Sequence, residues 1–118
     1  MKNVVKEKKV SVSFRTSKKI IQMMLERIVA EEYGLKGKSK WVSEAVERFL
    51  AMPDYVACVD IASAQEDMSE PVLCNIPEDL SKKIDTALIE VRRKYPDMEG
   101  VKSNILRASI NQRLIQVK

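Results

Sequence analysis

The stretch KKVSVSFRTSKK, residues 8–19, decides how the rest of the chain is read. Val10, Val12 and Phe14 alternate with Lys9, Ser11 and Ser13, the period of two expected of a strand with one face buried. The alternation stops at Arg15-Thr16-Ser17, where Thr16 or Ser17 is suited to accept an amide hydrogen bond at the start of a helix. That helix is predicted over residues 18–33, with Ile21, Met24, Leu25 and Ile28 on one side at spacings of three and four and Gly34 as its stop. After the loop LKGK, Ser39 is expected to cap a second helix with Val42, Ala45, Val46, Phe49 and Leu50 on its apolar side and Pro53 shortly beyond its end. The unit so described is strand, helix, helix.

The second half of the chain repeats it. In EPVLCNIPEDL, residues 70–80, Val72, Cys74 and Ile76 form one strand face, and Pro77 falls at the first turn of a helix, where its missing N–H is not needed. Leu80, Ile84, Ala87, Leu88 and Val91 make that helix's apolar stripe, Tyr95-Pro96 ends it, and the turn DMEG follows. Ser103 is expected to cap a last helix bearing Leu106, Ser109, Ile110 and Leu114. Laying Ser39 on Ser103 brings these four onto Val42, Ala45, Val46 and Leu50, while Phe14 falls on Ile76 with nearly the same spacing to its serine. The reading is an internal duplication.

Composition narrows the function. The 118 residues, 45% of them hydrophobic, suffice for one compact core. There is no long apolar run, and MKNVVKEKK lacks the apolar middle of a leader, so an intracellular, cytoplasmic protein is expected. Cys58 and Cys74, the only cysteines, match neither a disulfide framework nor a C-x-x-C site, and both are read as reduced. The chain has no histidine, which removes the commonest acid-base, nucleophile-activating and zinc-binding side chain. Gly34, Gly37 and Gly100 form neither a phosphate loop nor a dinucleotide fingerprint. No enzyme, no metal and no cofactor is expected.

Charge is uneven. Residues 1–50 hold 12 Lys/Arg against 6 Asp/Glu, residues 51–70 hold none against 5, and residues 71–118 hold 9 against 6. Two basic segments flanking an acidic connector suit a polyanionic partner, although such runs are also ordinary solvated surface.

At this point the order and spacing resemble two ribbon-helix-helix motifs in tandem, the family of the Arc, MetJ and CopG type of DNA-binding proteins. KVSVSF followed by a capped helix, and KSKWVSEAVERFL in the second-helix place, carry the resemblance. The tandem arrangement in one chain is similar to that of the TraY-type accessory proteins of plasmid transfer, with FLAMPDYV after the second helix as the one local echo.

The fold implied is mainly α with a short antiparallel β-ribbon, β-α-α repeated twice. Its divisions are a basic arm at residues 1–8, a first motif at 9–52, an acidic and apolar connector at 53–70 and a second motif at 71–118. The resemblance implies that the strands pair into a two-stranded ribbon whose free face enters the major groove of double-stranded DNA. Lys9, Ser11, Ser13 and Asn75 are then the base-contacting residues, with Leu73 and Pro71 also on the outward face. Backbone N–H groups at the second-helix starts would meet phosphates, with Lys38, Ser39, Lys40, Lys102 and Ser103 as the phosphate-contacting residues.

Lys2, Lys6 and Lys8 give an arm that would follow the DNA backbone, and Trp41 is assigned to packing. Transcriptional regulation and a relaxosome role in conjugation are both compatible with this. The contrasting reading is a protein-interaction module in which the duplicated fold no longer binds DNA. There the apolar run YVACVDIA and Leu73 meet a partner or a second copy of the chain.

Overall fold

The computed structural model describes residues 8–34 and 36–116. Its elements run β1 (Lys9–Thr16), α1 (Lys18–Ala30), α2 (Lys38–Leu50), α3 (Tyr55–Ala62), β2 (Glu70–Pro77), α4 (Glu78–Lys94) and α5 (Val101–Ile115). The chain is mainly helical with a two-stranded antiparallel sheet. Lys2 and Lys6 of the expected arm lie outside the described residues.

The strands pair within the chain, and the register is centred on Val12 opposite Cys74, with Val10 opposite Ile76 and Phe14 opposite Val72. These six residues and Thr16 lie on the inward face, and all but the half-buried Val10 are buried. Because side chains alternate across a strand, this register sends the intervening residues of both strands to the other side. Beneath the ribbon the packing is crossed: of the two strands α2 meets chiefly β2 and α5 chiefly β1, while α2 and α5 pack on each other. Each half of the chain therefore buries part of its apolar surface against the other half. Trp41, Val42, Val46, Phe49, Ile84, Ile105, Leu106 and Ile110 fill the middle.

The helices depart from the sequence expectations at several places, each for a local reason. Ser17 does cap α1, its hydroxyl accepting from the Ile20 amide at 3.1 Å. That helix stops at Ala30, short of residue 33, because Glu32 takes a left-handed conformation (φ 64°). Its amide donates to the Val29 carbonyl, and the Tyr33 amide donates to Ile28, so the last turn closes in the Schellman manner with no glycine at the left-handed position. Leu25, expected on the apolar side, is half exposed.

Ser39 is not the cap of α2 and Ser103 is not the cap of α5; Gly37 and Gly100 hold those places, neither with a side-chain cap bond. A Cβ on Gly37 would lie 2.2 Å from the Tyr33 carbonyl oxygen, so only glycine fits there and the helix starts directly after it. Gly100 has φ 61°, a left-handed conformation that glycine adopts at little cost. Pro77 stands just before α4 as its extended N-cap residue rather than inside its first turn.

A further departure is α3. YVACVDIA, expected only to pack or to form an interface, is a helix lying against α5, with Val59 and Ala62 buried. Tyr55 meets Phe49 edge-on at 6.0 Å and donates its hydroxyl to Glu90 at 2.7 Å; burial and that carboxylate push its pKa up to about 12.

A polar cluster ties α1, α2 and α5 together. Arg113, 5% exposed, donates to Glu31 at 2.7 Å, to the Tyr33 hydroxyl at 2.9 Å and to the Trp41 carbonyl at 2.9 Å. Its guanidinium lies over the Trp41 ring, 4.5 Å from the centroid. Glu31 also accepts from Trp41 Nε1 at 3.1 Å and from Arg27 at 3.2 Å, and Tyr33 donates to Glu44. Arg27 in turn satisfies the Arg113 and Leu114 carbonyls at the end of α5 and that of Gln116 just beyond it. Burial alone would raise the Glu31 pKa, but the donors from Arg113, Arg27 and Trp41 outweigh it and hold the carboxyl below its ordinary value.

Candidate nucleic-acid interface

The ribbon's outward face is built by the same register that builds the core. Ser11 stands opposite Asn75, Ser13 opposite Leu73, Arg15 opposite Pro71 and Lys9 opposite Pro77. Lys9, Ser11, Ser13, Arg15, Pro71, Leu73 and Asn75 are all exposed. Eight residues per strand give a ribbon about 27 Å long, and two strands side by side fit the width of a B-form major groove.

Hydroxyls and an amide on this face can donate and accept at base edges, and Lys9 supplies a cationic donor. Leu73, 61% exposed, is turned away from the core, so its apolar surface is available to whatever the ribbon meets.

Arg15 extends the outward row by one more step of two, a continuation that sequence reading treated only as the strand's end. Its guanidinium is folded back onto the connector, donating to the Met68 carbonyl at 3.0 Å and the Ser69 carbonyl at 2.6 Å. The same end of the ribbon is held by Gln65, which donates to the Thr16 hydroxyl at 3.0 Å. The acidic connector thus borders the ribbon at Thr16 and Glu70, and Lys8 borders it at the opposite end, where the Glu78 amide donates to the Lys8 carbonyl at 2.9 Å.

The proposed phosphate contacts divide between two places. At the start of α2, Lys38 and Ser39 are half-buried and Lys40 is exposed. Ser39 accepts a 3.0 Å hydrogen bond from the Asn75 amide, which ties the beginning of α2 to the middle of β2. Lys38 acts on the same strand from beneath: burial raises the Cys74 thiol pKa, and the Lys38 charge pulls against that rise. Lys40 lies over the Tyr33 ring at 6.0 Å. At the start of α5, Lys102 and Ser103 are half-buried beside Glu99, in a less basic setting.

The structure brings Asn75 together with Ser39, and Ser11 and Ser13 together with Asn75 and Leu73 on one face. It does not bring the two helix starts together, since they flank opposite parts of the ribbon. Trp41 is fully buried with its Nε1 on Glu31, a packing role with no ring surface left for a base.

Among the described residues no helix is long and apolar enough to cross a membrane. Compared with known proteins, the chain matches no protein-family model, no curated protein and no solved structure.

Proposed function

We propose that this chain is a sequence-specific double-stranded DNA-binding protein of ribbon-helix-helix character, its two motifs in tandem, which inserts the β1–β2 ribbon into the major groove. It acts as a transcriptional regulator or as an accessory protein of plasmid transfer. The observation that carries the reading is the ribbon itself: an antiparallel pair with its apolar side on the helices and Lys9, Ser11, Ser13 and Asn75 exposed together on the other. Base edges are read from that face, while Lys38, Lys40 and Lys102 with the first turns of α2 and α5 hold phosphates. The exchange of α2 and α5 beneath opposite strands supports the duplicated architecture.

A second reading, a protein-interaction module, draws on two exposed apolar side chains, Leu73 on the ribbon and Ile61 on α3, 61% and 73% exposed. Salt separates the two. Anisotropy of a labelled duplex titrated with the protein at several salt concentrations should give affinity falling steeply as salt rises. Absence of binding at low salt sinks the DNA reading, and an apolar association that strengthens with salt favours the second.

A further inference from the structure

Two arginines of α5 are buried to the same depth in different company. Arg113, 5% exposed, has Glu31 at 2.7 Å and Glu44 at 3.7 Å as counter-charges. Burial opposes its charge, but Tyr33 and Glu31 overcome the penalty and raise its pKa. Arg107 is 6% exposed and donates to the Arg15 carbonyl at 2.9 Å and to Asn104 Oδ1. No carboxylate among the described residues pairs with it, and its Nε–H is buried without an acceptor. Burial alone acts on it and lowers its pKa. A buried cation is costly unless an anion compensates it.

The space beside Arg107 is open. It lines two neighbouring clefts of about 520 and 650 Å³ that share Met68 and Glu99. The larger is walled by Ser13 and Arg15 of the ribbon and by Gly100 and Ser103 at the start of α5, a 15-residue helix with no side-chain cap. Its first N–H groups therefore have no side-chain acceptor, and they add a partial positive charge to those of Arg15 and Arg107. The equivalent position in the other half of the fold is built differently among the described residues. Under the alignment of Ser39 on Ser103, Arg107 falls on Ser43, and the Ser39 hydroxyl is engaged directly by the Asn75 amide.

We propose that the cleft between the start of α5, the end of β1 and Arg107 binds a small molecule through a phosphate or carboxylate group, and that it does so without DNA. The anionic group sits against the α5 amides and the Ser103 hydroxyl and gives Arg107 its missing counter-charge. Glu99 on the wall opposes any second negative charge, so the site takes a singly anionic head group in preference to a polyanion. The site shares the α5 amides and Ser103 with the DNA reading, and goes beyond it in holding a small anion when no DNA is bound.

The test is an NMR titration of the full chain with inorganic phosphate at constant ionic strength, in the absence of DNA, following the Arg107 Nε–H and the amides of Val101, Lys102 and Ser103. These signals should move together and saturate, and Arg107→Gln should abolish saturation. Glu99→Gln, at an exposed position, should bind phosphate about threefold to tenfold more tightly, as removal of one like charge predicts. That variant decides the matter if Arg107→Gln does not fold. Shifts that grow without saturating, or a Glu99→Gln affinity equal to the parent's, overturn the proposal. So does a duplex that moves these signals where free phosphate does not, because the cleft would then hold only a DNA phosphate.

Discussion

Replacing Lys38 and Lys40 together by alanine should weaken DNA binding in a way that depends on salt and not on sequence. Each phosphate neutralised by a lysine contributes about −0.9 to the slope of log K against log salt. At about 0.1 M salt that is a factor of about 8 per contact, and about 60 for two. The structure indicates that the fold should survive. Lys40 is exposed, with one cation–π contact to Tyr33 at 6.0 Å, and Lys38 is half-buried at the first position of α2.

The double variant should therefore bind every duplex about 60-fold more weakly near 0.1 M, with the slope flattened by about 1.8 and the difference nearly gone at 1 M. Fluorescence anisotropy with one selected and one scrambled duplex over four salt concentrations measures this, and circular dichroism checks the helices. A loss of the same size at every salt, or one confined to the selected duplex, would refute the assignment of the α2 start to phosphates.

Ser11→Ala and Ser13→Ala should behave in the opposite way, costing about 1–3 kcal/mol at particular base pairs and leaving the salt slope unchanged in the same assay. Glu31→Ala removes the acceptor shared by Arg113, Trp41 and Arg27 and leaves Glu44, at 3.7 Å, as the remaining carboxylate beside the buried Arg113. It should cost about 3–5 kcal/mol in urea unfolding, and a loss below about 1 kcal/mol would show that the cluster is not a buried pair in energetic terms. The same carboxyl predicts an acid limb of stability. Its folded pKa lies below its ordinary value, so its contribution is complete above the unfolded pKa and is lost as pH falls through the folded one. Thermal melts from pH 6 down to pH 3 should show the parent losing more stability than Glu31→Gln.

How much of this was legible in the sequence follows from the range of each interaction. The ribbon was legible because Val10, Val12, Phe14 and Val72, Cys74, Ile76 carry a period of two that survives into their burial. The helix starts were misread because a serine before an apolar stripe looks like a cap, whereas the backbone of Gly37 against Tyr33 and the left-handed Gly100 set the start two or three residues earlier.

The third helix was missed because YVACVDIA has no side-chain cap and is apolar nearly all round, so no periodicity separates it from a packed loop. Arg27 and Glu31 are a visible i, i+4 pair, but the residue that completes their cluster, Arg113, lies more than 80 positions away. The clefts at Arg107 are also assembled from distant segments, β1, the connector and the start of α5, and an arginine in a helix of mixed polar and apolar residues gave no local sign of them.

That the outward ribbon face reads base pairs is tested by selection from a random duplex library at physiological salt. The parent should be run beside a Ser11→Ala, Ser13→Ala, Asn75→Ala variant. The parent should enrich a motif that is not palindromic, because Ser11 faces Asn75 and Ser13 faces Leu73 across the ribbon. The variant should be retained without that motif. No retention by the parent, or the same motif from both proteins, would contradict base reading by this face.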